Sequence, residues 1–394
     1  MKRSTDRILT THAGRLDGPP EYREMFQSVM AGRPVDVDAM RRNVHSGIVE
    51  VIRKQAEAGI DIVSDGELGK IGFGSVSYYG RRLSGLTTRK LQPGEPPIMT
   101  MQTGERIEFA DFYKDLSFFT AAPGERSVCS GPIAYIGQED VKKDLEVFRA
   151  ALAESSASVE ETFMCVLSPG WLEHFFFNEH YANDEEYVFA LADAMKHEYQ
   201  AVVDAGFILQ IDDPALPDTY DMIVPNPGIE EYRKFAAVRV EALNQALRGL
   251  PEDRVRYHIC WGSWHGPHTH DLPLEHVVDL MLKITAGAYS LEAANARHEH
   301  EWKLWQRVKL PPGKILIPGV VTHHTNVVEH PELVADRIVR YARLVGRENV
   351  IAGTDCGMGF RVHPQIAWAK LKALAEGARL ATRELWGAHS SAAR

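Results

Sequence analysis

Cysteine is scarce in this chain, with four among 394 residues, at positions 129, 165, 260 and 356. So few thiols at such wide spacing exclude a disulfide framework. They point to a reducing, cytoplasmic setting in which a special cysteine serves as a ligand or a nucleophile. Long apolar runs are also missing. None reaches the roughly 18 residues of a membrane span, and the opening "MKRSTDRILTTHAGRLDG" has no signal-peptide core. Positive charge is outnumbered, 44 Lys and Arg against 54 Asp and Glu, for a formal net charge of −10. Such a chain has no general attraction for nucleic acid or for an anionic membrane. No GxGxxG opens a helix, and "DGELGK" lacks the spacing of a phosphate loop. Close CxxC pairs, low-complexity segments and internal repeats are absent as well.

Short β-branched apolar runs do alternate with longer helical patterns. The strand candidates are "RILTTH" at Arg7, "IDIVSD" at Ile60, "FMCVLS" at Phe163, "FILQID" at Phe207, "RVRYHIC" at Arg254, "AYSLEA" at Ala288, "KILIPGVV" at Lys314 and "NVIAGTDC" at Asn349. Helix signals lie between them. Asn183 stands as an N-cap with Glu186 three residues on, and Gly206 closes that segment. Pro331 opens another helix and Gly346 follows its last turn. Eight strands alternating with helices predict an α/β fold, a (β/α)8 TIM barrel, with a doubly wound open sheet as the rival. Length alone suggests two or three domains, but α/β barrels run long as one. Residues 1–394 are therefore read as a single barrel. A ninth strand candidate, "SVCSGPIAYIG", follows a Pro/Gly-containing stretch. Residues 86–138 are read as an insertion after the second βα unit, a lid or the contact of a homo-oligomer.

In such barrels chemistry sits at the C-terminal ends of the strands. His258 and Cys260 end the fifth strand and, being two apart, point to one side of it. Glu292 ends the sixth and Cys356 the eighth. Singly, each has a plain reading: a small buried hydrophobe, a core histidine, a salt-bridge partner. Together at one mouth, two thiolates, one imidazole and one carboxylate suit a tetrahedral Zn2+ ion. His265, His268 and His270 follow the fifth strand, in a loop over the mouth, and are read as supporting or surface residues, not ligands.

These residues carry a resemblance. "HIC", the Glu of "SLEAAN" and "DCG" resemble the zinc motifs of cobalamin-independent methionine synthase, in its C-terminal catalytic barrel. "TTHAG", "DIVSDGE", "SGPIAY", "LQIDDPAL" and "IPGVVTHHTN" resemble further motifs of that superfamily in the same order, from Thr10 to about Gly359. Epoxyalkane:coenzyme M transferases carry similar ones. The resemblance implies His258, Cys260, Glu292 and Cys356 as zinc ligands. It also implies Glu67 and Asp212 as residues that hold the acceptor's amino group, and His324 as the histidine that helps protonate the leaving group. His12, in "TTHAG", joins the candidate substrate-binding residues. The chain departs from the pattern in three ways. Nothing in these 394 residues is long enough to be the additional N-terminal barrel of the full-length synthase. Arg15 stands where a serine helps bind the acceptor carboxylate. Asp213 replaces the glutamate of the "DEPAL" motif.

The expected chemistry follows. A free thiol has a pKa of about 8.5 and is a poor nucleophile at neutral pH, whereas coordination to zinc deprotonates it outright. The acceptor thiol would attack an electrophilic methyl or alkyl carbon of a small-molecule donor, with no cobalamin needed. His324 would serve as the acid, with Asp212 and Glu67 orienting. Arg15, with five donors in a fixed fork, suits an anionic substrate group. The rival of another class is a zinc-dependent hydrolase on the same barrel. Two cysteine ligands favour thiol chemistry over it, and so does the first strand, where only His12 stands in place of an HxH pair. A zinc-stabilised binding barrel without catalysis is the third reading.

Overall fold

The computed structural model describes residues 1–71, 76–115 and 124–387. Its centre is a ring of eight parallel strands: β1 (Leu9–Thr10), β2 (Ile62–Ser64), β3 (Glu161–Leu167), β4 (Ile208–Asp212), β5 (Val255–Ile259), β6 (Ala288–Leu291), β7 (Ile315–Val321) and β8 (Ile351–Thr354). Each pairs with its neighbour in sequence, β1 pairs with β8, and a parallel bridge from Thr11 to Ile62 closes the ring. This is the (β/α)8 barrel, not the open sheet.

Alternation along the strands divides two cores. Leu9, Ile62, Phe163, Cys165, Ile208, Ala288, Ile315, Ile317 and Ile351 face inward and fill the barrel. Their neighbours, such as Val255, Tyr257 and Ile259 on β5, face outward into the larger core beneath the helices. Those helices include Val37–Glu57, Gln138–Ser155, Asp184–Asp204, Ile229–Leu247, Pro331–Val345 and Pro364–Trp386. After β5 and β6 the return shrinks to Val278–Met281 and a 3-10 stretch, Glu299–Gln306. The caps expected from sequence are formed. Asn183 accepts from the Glu186 backbone at 2.8 Å, and Gly346 ends its helix at φ 93°. No helix among the described residues is long and apolar enough to cross a membrane.

The extra chain enters between β2 and the helix Gln138–Ser155, at the C-terminal end of the barrel. The ninth strand candidate lies here, as Glu125–Cys129. It runs antiparallel to Leu86–Lys90 and parallel to Phe177–Asn178, in a three-stranded side sheet. Part of the segment covers the loop after β5. Glu105 Oε2 accepts from the Thr269 backbone at 2.8 Å, and Trp264 Nε1 donates to the Tyr113 hydroxyl at 3.0 Å.

Candidate metal centre at the barrel mouth

The inward face of β5 carries Arg256 and His258, and Cys260 follows the strand end. Cys356 lies two residues past β8. The structure brings His258, Cys260 and Cys356 together, with one donor atom of each within 4.8 Å of the others. The two sulfurs are 4.0 Å apart and all four cysteines are free. Tetrahedral zinc with sulfurs at about 2.3 Å holds two of them about 3.8 Å apart. The donor set and its spacing therefore fit zinc.

The two thiols titrate as a pair. The hydrogen bond between them pulls the Cys356 thiol down to about 7, with His258 helping and burial opposing. The same contact, with burial, pushes the Cys260 thiol up. One of the two is thus ready to act as a thiolate near neutral pH.

Strand register places the support for His258. Asp212 on β4 lies level with His258, and Gln210 with Arg256. His258 Nδ1 donates to Asp212 Oδ1 at 3.0 Å, and Gln210 Nε2 donates to the same oxygen at 2.6 Å. Arg256 Nε donates to Gln210 Oε1 at 2.6 Å and its other nitrogens to Thr11 Oγ1 and the His12 carbonyl. A buried guanidinium thus reaches the imidazole through Gln210 and Asp212. Burial opposes a charge on His258, but Asp212 and Cys356 outweigh it and hold the imidazole up at about 9. Its Nε2 faces the Asp355 carbonyl at 3.1 Å.

Glu292 is nearby but stands outside the compact trio. It is 1% exposed, accepts from the Trp261 backbone at 3.0 Å and takes a hydrogen bond from Asn295. Burial, with Asp355 and Cys356 close by, pushes its carboxyl well up. Asp355 ties the β6 and β8 ends together, its Oδ1 accepting from Ala293 and Ala294 at 2.7 and 2.9 Å. Gly319 makes room for that carboxylate, since a Cβ there would collide with it.

The remaining expected residues fall in distinct places. His324 Nε2 lies 3.9 Å from Glu292 Oε2. Burial, then His268 and His265, hold its imidazole down at about 3. Glu67, Asp212 and Cys165 form a second group with donor atoms within 4.8 Å. His12 is buried and bound through Nε2 to Gln55 Oε1 at 2.7 Å. Arg15 donates to the Lys70 carbonyl and lies beside the stacked Phe26 and Phe360 rings, 5.8 and 5.6 Å from their centres. Asp213 accepts from Ser168 Oγ at 2.7 Å and the Tyr257 hydroxyl at 2.9 Å, and its backbone donates to the His258 carbonyl at 2.9 Å. In the loop after β5, His265 Nε2 meets the His323 carbonyl at 3.0 Å, His268 meets Asp271 at 3.0 Å and His270 meets Glu108 at 2.5 Å.

Sequence reasoning missed Gln210, Arg256, Lys70 and Arg361. The first two carried a signal, since each lies two residues before an inward-facing residue on its strand. The other two sit in loops that no periodicity describes. Three of the four non-glycine residues at positive φ among the described residues also lie in the mouth loops: Glu67 at 58°, His268 at 54° and Phe360 at 62°. Such conformations persist only where surrounding contacts hold them.

Comparison with known proteins adds a family. Residues 176–379 match the cobalamin-independent synthase catalytic domain. The methionine synthase of Saccharolobus solfataricus is 24% identical over 381 residues, 96% of this chain and 96% of its own. That of Thermococcus kodakarensis is 23% identical over 381 residues, 96% of this chain and 94% of its own. A B12-independent methionine synthase from Shewanella sp. W3-18-1, solved with selenomethionine, shares the fold. Its TM-score is 0.70 at 22% identity, covering 96% of this chain and 99% of that one.

Proposed function

Because the chain belongs to the cobalamin-independent synthases through their catalytic domain, and is a methyltransferase of that methionine synthase-like kind, we propose that it is a zinc-dependent enzyme that transfers a methyl or alkyl group to a small-molecule thiol. The observation that carries the proposal is the cluster of His258, Cys260 and Cys356, with its sulfurs 4.0 Å apart at the barrel mouth. His258, Cys260 and Cys356 would hold the ion, and Glu292 would leave Trp261 and Asn295 to join them. Bound zinc supplies a Lewis acid that keeps the acceptor sulfur deprotonated at neutral pH.

The chain's own residues do the rest. Asp212 takes His258 Nδ1–H, so Nε2, which faces the Asp355 carbonyl, is the nitrogen that would be offered to the ion. The acceptor thiol would give its proton to solvent, and its sulfur would attack the donor carbon. A C–S bond forms as the bond to the leaving group breaks, and the leaving atom takes up a proton. His324 would serve that last step. Its imidazole is uncharged at rest, so it would take up a proton from solvent as negative charge develops beside it and pass that proton to the leaving atom. Glu67 lines the acceptor side. The described part of segment 86–138 would act as a lid, through the contacts of Glu105 with Thr269 and of Tyr113 with Trp264. The free cysteines support a reducing, cytoplasmic setting.

The test is turnover of the zinc-loaded protein with methyl donors and a panel of thiols, without cobalamin. An S-methyl thioether is the expected product by mass spectrometry. Methanol formed equally well without any thiol would replace this reading with the zinc hydrolase.

A further inference from the structure

We infer that His270 is a pH-operated latch on the barrel mouth: charged, its imidazole ties the lid helix Gly104–Glu108 to the barrel helix Ala215–Met222, and neutral, it lets the lid go. The inference builds on reading the described part of segment 86–138 as a lid, and its test needs no turnover.

The lid is docked through acids. Asp221 Oδ2, on the barrel helix, accepts from the Glu105 backbone at 3.2 Å. The Glu105 carboxylate, on a residue only 1% exposed, is taken by the Thr269 backbone and the Tyr113 hydroxyl. Gly104 permits this close approach, since a Cβ there would lie 2.7 Å from Asp221 Oδ1 and 2.9 Å from His270 Nδ1. Asp218, one turn before Asp221, is 4% exposed and its Oδ2 has no partner. Burial, with Asp271, Asp221 and Glu105 close by, pushes its carboxyl well up. Acids are thus crowded between lid and barrel until one of them keeps its proton.

His270 is the cation that the two sides share. Its Nε2 lies 2.5 Å from Glu108 Oε2 on the lid, and its Nδ1 lies 3.1 Å from Asp221 Oδ1 on the barrel. A neutral imidazole has one N–H and one lone pair. It can answer one carboxylate and must turn the lone pair on the other, whereas the imidazolium answers both. Burial opposes that charge, but Glu108, Asp221 and Glu105 outweigh it and raise the imidazole. The other charged groups around it are engaged elsewhere. On its own loop His268 pairs with Asp271 at 3.0 Å, and Arg297, after β6, reaches the Thr269 carbonyl at 3.5 Å. On the lid Arg106 lies over the Tyr113 ring at 4.5 Å. A group whose pKa is raised in the latched state holds the lid fully below its ordinary value of about 6.5 and releases it as pH rises through the raised value. Release would uncover the loop that leads from Cys260 to Thr269.

Hydrogen exchange of the zinc-loaded protein, read by mass spectrometry at about pH 6 and about pH 9 and corrected for the intrinsic rate at each, tests the latch. Protection of peptides spanning 104–109 and Thr269 should fall about two- to fivefold at the higher pH, the weight of a partly exposed ion pair, while the barrel strands keep theirs. His270→Gln should show the lower protection at both pH values. Glu108→Gln, on an exposed side chain of the lid, should do the same. Gly104→Ala should open the lid at both. Protection as sensitive to pH in His270→Gln as in the wild type would overturn the latch, because another group would then be titrating. A lid that opens in Gly104→Ala but ignores pH in the wild type would sink the latch and keep the lid. Should Gly104→Ala leave 104–109 and Thr269 fully protected, the latch and the lid reading fail together.

Discussion

Two clusters share the mouth of the barrel, and either alone resembles a metal site. One, from β5 and β8, gathers a histidine and two thiols. The other, from β2, β3 and β4, gathers Glu67, Cys165 and Asp212. What separates them is the positive charge within each. The carboxylate cluster already holds an ammonium, Lys70, at 3.4 Å. The thiol cluster holds no lysine or arginine in hydrogen-bond contact with its sulfurs among the described residues, and its imidazole is held by Asp212 at Nδ1 with Nε2 toward the Asp355 carbonyl. Soft thiol and imidazole donors suit zinc, whereas the hard carboxylates already share an ammonium. A count of ligand types does not draw that distinction; the side chain that already answers the charge does.

Cysteine exchanges break the comparison most directly. Cys356→Ser should weaken zinc binding by well over the roughly 10–100-fold that loss of an outer partner costs, and abolish methyl transfer. Cys165→Ser, in the other cluster, should keep one zinc per chain. Chelator competition and elemental analysis read both. Similar zinc loss in the two variants would mean that the clusters have been assigned the wrong way round.

His324→Asn comes next. It should retain zinc and the thiol but slow transfer by about 10²–10⁴-fold, the usual weight of a positioned acid. Single-turnover rates check it, and an unchanged rate where chemistry is limiting would take His324 out of the reaction.

How much of this was legible beforehand varies with the kind of constraint. The barrel followed from alternating strand and helix patterns, and His258 with Cys260 from the period of two along a strand. Cys356 followed from its place after the eighth strand. The Asp212–His258 bond did not, because it depends on the register of β4 against β5, which neither strand encodes alone. Lys70 and Arg361 were invisible for a different reason. They stand on loops at the ends of β2 and β8, and what they touch is decided by chain far away in sequence. Glu292 shows the reverse case: its position was foreseen, but its carboxylate is engaged with Trp261 and Asn295, a local contact no motif describes.

Gln210 sharpens the comparison, since it lies against the carboxylate cluster and reaches the thiol cluster through Asp212. Its amide nitrogen reaches the Cys165 sulfur at 3.3 Å and Asp212 at 2.6 Å. Gln210→Met removes the link from Arg256 to Asp212 at similar volume. Zinc affinity should fall by about 10–100-fold through the loosened His258, with little change in the fold of the metal-free protein. Should the melting temperature drop while zinc affinity holds, Gln210 is a core residue and nothing more.

The smallest effect belongs to His12, which adjoins neither cluster's donor atoms. Burial, with the Arg256 charge adding, holds its imidazole down at about 4, against about 6.5 when unfolded. The folded chain thus keeps His12 neutral where the unfolded chain charges it. A histidine with a lowered folded pKa contributes fully above pH 6.5, and its contribution is lost as pH falls from 6.5 toward 4. By linkage this one group should cost the wild type about 2 kcal/mol of stability between pH 7.5 and pH 5. His12→Asn removes the titration. It should be the less stable protein at pH 7.5, because Gln55 loses its 2.7 Å partner, yet lose about 2 kcal/mol less than the wild type on going to pH 5. Urea denaturation of both proteins at the two pH values gives the difference. Parallel losses would show that His12 is protonated in the folded barrel, and that its burial beside Arg256 does not govern its charge.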